Sequence, residues 1–142
     1  MVDLNKKITA ESQNIEKAIN NLKDAINRKE KTTIELAAIA TFLHNIYNGI
    51  ENILKQLLKA KGIDIPKSQM WHKELLETSV NTGVISKGLS DELYEYLTFR
   101  HFFVHAYGFM LEEIQVEGLA NNIPDVCRKF FLEIERVLLD LK

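Results

Sequence analysis

The chain has 142 residues and a single cysteine, Cys127, so it can bury one sizeable core and cannot form a disulfide within itself. Apolar and charged residues make up 46% and 27%, which argues against disorder, and a formal net charge of −2 excludes a global pull on nucleic acid. Any contact with a polyanion must use a local basic patch. No apolar run reaches the length of a membrane span, and MVDLNKKITAES lacks the apolar core of a signal peptide. The expectation is one domain over residues 1–142, cytoplasmic and without a membrane segment.

Residues 2 to about 29 are expected to form a helix. Leu4, Ile8, Ile15, Ile19, Leu22 and Ile26 recur at helical spacing, in a stripe narrow enough to pack on one side only. KEKTTIE breaks the pattern. Thr32 or Thr33 can cap the next helix, with Glu35 as a capping-box partner. That helix runs to about Lys61, with Gly62 as its stop, and its apolar arc is wide: Ile34, Ile39, Leu43, Ile46, Ile50, Leu54 and Leu57 are among its members. Such width predicts more than one neighbour. His44, Tyr47, Asn48 and Glu51 step by three or four, so they share one face. That face is either a solvated polar surface or one wall of a cleft, with Glu51 orienting a cation opposite.

A loop with Pro66 leads to a short helix at WHKELLETSV, in which Trp71 and Leu75 face the core and His72 is a surface or structural histidine. Two glycines in VNTGVISKGLS mark the next loop. Ser90 or Asp91 is expected to cap a fourth helix that runs to about Tyr107 and ends near Gly108. Between Leu97 and Val104 this helix is apolar almost all round, as a helix buried on two sides would be. One side suits the bundle core and the other a second copy of the chain. After a mixed connector, a last helix is expected from about Ile123 to Leu141, with Pro124 in its first turn. No alternating run predicts a strand. The expected fold is all-α, an antiparallel bundle of four long helices plus a short one.

Arg100, His101, His105 and Tyr107 put a guanidinium, two imidazoles and a phenol within about two turns of that apolar fourth helix. Polar groups in such company are buried and paired, or they line a cleft. An arginine fork can clamp a phosphate, and an imidazole can take and give protons near neutral pH. Together they suffice for metal-free RNA cleavage, with the ribose 2′-OH as nucleophile. A metal at His101 and His105 would need a further ligand, which His44 or Glu51 could supply, and a purely structural role for these groups stays open.

The spacing Arg100-His101-x3-His105-x-Tyr107 resembles the active-site motif of HEPN-domain proteins of the HepT type, the ribonuclease toxins of two-gene toxin–antitoxin modules. FLHNIYNGIENILK at 42–55, WHKELL at 71–76 and FRHFFVHAYGF at 99–109 look like one HepT-like subfamily, so the likeness covers most of residues 30–140. The resemblance implies a homodimer whose two motifs share one RNA cleft. It implies catalysis by Arg100 and His105, with His101 as the accompanying polar residue. It also implies a partner, an MntA-like nucleotidyltransferase antitoxin that transfers AMP from ATP onto Tyr107, adding charge and bulk that would block RNA. The chain itself would need no cofactor and no metal. Glu51, Tyr47 and His44 are candidate supporting walls of the cleft. An alternative is a non-catalytic HEPN-type binding subunit of a nucleotidyltransferase.

Overall fold

The computed structural model describes residues 2–104 and 113–141. Its described residues form five helices and no strand: α1 (Val2–Ile26), α2 (Thr33–Ala60), α3 (Trp71–Asn81), α4 (Lys87–Phe102) and α5 (Glu113–Asp140). None of these helices is long and apolar enough to cross a membrane.

The wide apolar arc of α2 makes it the central element, in contact with α1, α3, α4 and α5. Ile39, Leu43, Ile46, Ile50, Ile53, Leu54, Leu57 and Leu58 are all sealed from solvent. Ile34, in the first turn of that arc, is 78% exposed. The start of α2 is fixed by a capping box: Thr32 receives the Ile34 N–H, and the Glu35 carboxylate accepts from the Thr32 backbone and hydroxyl. Its end is a Schellman turn. Gly62 adopts φ +75°, and the Ile63 and Gly62 N–H groups close back on the Leu58 and Lys59 carbonyls.

The α1 stripe lies along α2, where Ile15 fills the notch left by Gly49; a Cβ at Gly49 would come within 2.6 Å of Ile15 Cγ1. Leu75, Leu76, Leu89, Leu93, Tyr96 and Phe130 complete the core around the other faces of α2.

Two expected boundaries move. The fourth helix is capped by Ser86, not by Ser90 or Asp91. Ser86 Oγ receives the Leu89 N–H at 3.2 Å, and Glu133 of α5 accepts from the Ser86 N–H at 2.5 Å and from its hydroxyl at 2.8 Å. This cap depends on a carboxylate 47 residues away, which no local pattern reveals. The last helix begins at Glu113, ten residues before the expected start, and Pro124 lies inside it. Val116, Ala120, Ile123 and Cys127 are buried at helical spacing, and that burial outweighs the hydrogen bond a mid-helix proline removes. The Tyr96 hydroxyl donates to the Leu119 carbonyl at 2.8 Å, tying α4 to α5 next to the carbonyl that Pro124 leaves without its helical partner. The expected end of the fourth helix near Gly108 lies outside the described residues; Phe103 and Val104 continue it as a wider π turn.

Candidate functional site

The polar face of α2 turns toward α3 and α4 and is not solvated. Tyr47 and Glu51 are 1% and 2% exposed, and His44 and Asn48 are half-buried. Opposite them stands Arg100, in the last turn of α4. Its Nε donates to Asn48 Oδ1 at 3.0 Å, and Asn48 Nδ2 lies 3.1 Å from His44 Nε2. The guanidinium is thus held in one orientation from the α2 side.

His72, from the first turn of α3, comes between Glu51 and Arg100. Its Nδ1 is 2.7 Å from Glu51 Oε2, and its Nε2 is 3.4 Å from Arg100 Nη1. Glu51 therefore reaches the cation of α4 through an imidazole. His72 is tied into the site on both ring nitrogens, a structural role that sequence reasoning allowed without placing it beside Arg100. The missing signal was three-dimensional, since α3 approaches α2 and α4 at once. Trp71 stacks on the His72 ring with centroids 3.5 Å apart, and Lys55 Nζ sits 4.1 Å over the indole.

Two buried polar atoms of this wall have no hydrogen-bond partner among the described residues, His44 Nδ1 and the Tyr47 hydroxyl. Burial holds the His44 imidazole below its ordinary value, and the charge of Arg100 adds to this. Burial raises the Tyr47 phenol, reinforced by the negative charge of Glu51 beside it. The phenol stays protonated and can act only as a neutral group.

In front of Arg100 opens a cleft of about 610 Å³ between α3 and α4, lined by His72, Lys73, Arg100 and His101 with Met70, Trp71, Tyr94 and Leu97. Its charged lining is basic, with the Glu51 carboxylate set behind His72. Such a surface suits an anion with an apolar or aromatic portion. His101 lines this cleft. His105 and Tyr107 lie outside the described residues. The structure thus brings together Arg100, His101, Glu51, Tyr47 and His44, with Asn48 of the same α2 face, and adds His72.

Among known protein families, the one described as HepT-like protein matches residues 38–141. That match contains all of α3, α4 and α5, most of α2, and every residue of the site named above. No curated protein and no solved structure matches the chain.

Proposed function

The chain belongs to the HepT-like family, and from that premise we propose that it is a metal-independent endoribonuclease toxin of a toxin–antitoxin module. The observation that carries this is Arg100, held by Asn48 and His72 at the wall of a basic cleft. A guanidinium fixed in this way can receive two oxygens of a ribose phosphate and stabilise the charge that builds on phosphorus. The 2′-oxygen attacks, the bond to the 5′-oxygen breaks, and the products are a cyclic phosphate and a 5′-hydroxyl. His105 moves a proton in this reaction, and His101 contacts the bound RNA.

Two copies form the working unit. Tyr94, Phe102 and Val104 are 46%, 37% and 49% exposed on α4 and its continuation, apolar surface for a second copy to cover. Regulation falls on Tyr107, which a nucleotidyltransferase antitoxin modifies with AMP, setting negative charge and bulk beside the motif.

Purified protein is incubated with RNA in the presence of a chelator. Cleavage is expected, and Arg100→Ala is expected to lower it by at least 100-fold. Cleavage that survives Arg100→Ala overturns the assignment. Absence of cleavage, with tight binding of a nucleotidyltransferase, favours a binding subunit instead. Co-expression with the partner is expected to add the mass of AMP to the peptide containing Tyr107, and Tyr107→Phe is expected to abolish that gain.

A further inference from the structure

RNA cleavage needs one group to accept the 2′-hydroxyl proton and another to donate one to the 5′-oxygen. On the ribonuclease reading the motif histidine, His105, is the donor. We infer that His72 is the other, the general base of the cleft, with Glu51 orienting it. This rests on the ribonuclease reading above.

The geometry of His72 carries the inference. A carboxylate only accepts hydrogen bonds and a guanidinium only donates them. The contact of Nδ1 with Glu51 at 2.7 Å therefore requires a proton on Nδ1, and the contact of Nε2 with Arg100 Nη1 at 3.4 Å requires a lone pair on Nε2. Both contacts select the same neutral tautomer. It is the tautomer of a base, with the Nε2 lone pair turned to the group that clamps phosphate. The buried Glu51 carboxylate holds the ring through Nδ1 and fixes its orientation. Stacking on Trp71 restricts ring rotation, so Nε2 stays on the cleft side. A phosphate bound by Arg100 would bring its ribose within reach of this nitrogen.

The atoms balance as follows. The 2′-O–H bond breaks and its proton passes to His72 Nε2 while the 2′-oxygen bonds to phosphorus. The P–O5′ bond breaks, and the departing oxygen takes a proton from His105. His72 then returns its proton to solvent, and His105 takes one back from it. Among the described residues, the charged or titratable groups around His72 include Glu51 and Tyr47 on α2, with Lys55 over the stacked Trp71, then Tyr94, Arg100 and His101 on α4, and Lys73 beside it on α3.

The test uses the full chain and an RNA oligonucleotide with a single cleavable ribose, with a chelator present. His72→Ala is expected to lower kcat by about 10²–10⁴-fold and to leave KM within about twofold. Imidazole added to the buffer is expected to restore part of the rate to His72→Ala, whose vacated space adjoins the cleft, but not to His72→Gln. His72→Gln keeps side-chain bulk and serves as the readout if the alanine variant does not fold. A rise in KM with unchanged kcat, or a rate loss that imidazole does not relieve, would reduce His72 to a support for Arg100 and overturn the inference. Nitrogen-15 shifts of the His72 ring, read without RNA, are expected to show a protonated Nδ1 and a bare Nε2; the opposite tautomer also overturns it. If the wild type cleaves, Arg100→Ala does not, and His72→Ala keeps full kcat, the base assignment fails while the ribonuclease reading stands. If the wild type leaves RNA intact, the ribonuclease reading itself fails.

Discussion

The Glu51 carboxylate and the His72 imidazole meet at 2.7 Å from positions 21 residues apart, one on α2 and the other on α3. Glu51 is only 2% exposed, so its charge has almost no access to water and depends on this contact. Removing either partner strands the other. Glu51→Ala and His72→Ala are each expected to destabilise the fold, by about 1–3 kcal/mol for the lost buried bond. The double variant should lose less than the sum of the two. Urea unfolding of all four proteins measures the coupling, and additive losses would mean that the pair contributes nothing jointly.

Gly49 is expected to tolerate no side chain. An added Cβ would meet Ile15 Cγ1 at 2.6 Å and Cδ1 at 2.9 Å. Gly49→Ala gains about 1 kcal/mol of helix propensity, but overpacking of this kind costs about 1–3 kcal/mol. A lower unfolding midpoint is expected for Gly49→Ala. Introducing Ile15→Ala as well should recover the clash component, visible as a favourable coupling in the double variant.

The exposed apolar side chains of α4 and its continuation give a prediction about assembly. Sedimentation velocity is expected to show a dimer for the wild type. Val104→Asp, which puts a charge where an apolar contact would form, is expected to weaken association at least tenfold, by about 1.4 kcal/mol or more. Ribonuclease activity should fall in step with the dimer population. A fully active monomer would show that one chain suffices.

The depressed His44 imidazole has a consequence for stability against pH. The folded state binds fewer protons than the unfolded chain between the folded value and the ordinary value of 6.5. This contribution is therefore present in full above 6.5 and is lost as pH falls through that window. The urea midpoint of the wild type is expected to drop more steeply below about pH 6.5 than that of His44→Gln. Parallel curves for the two proteins would show that His44 takes no part in acid destabilisation.

Much of the helical layout was legible in the residues because burial follows the period of the helix. Leu4, Ile8, Ile15 and Leu22 are buried as their spacing predicts, and Thr32 and Glu35 form their box from a purely local signal. The failures came where distant residues act on a local choice. Ser86 displaces Ser90 as a cap because Glu133 reaches it, and the helix holding Pro124 starts early because its buried stripe continues through Val116 and Ala120. The polar face of α2 could be recognised as a face, but periodicity does not say whether water or protein lies against it. His72 was the hardest to place. Its importance comes from the point at which α3 crosses between α2 and α4, and nothing in WHKELL encodes that position.

Trp71 is the sole tryptophan in the chain, and its indole stacks on the His72 ring at a 30° tilt, with the Lys55 ammonium over the indole. Indole emission responds to neighbouring cations and to protonation of an adjacent imidazole. The molecule therefore carries an optical reporter at the cleft wall, free of competing indole signal, through which cleft occupancy can be followed in real time without any added label.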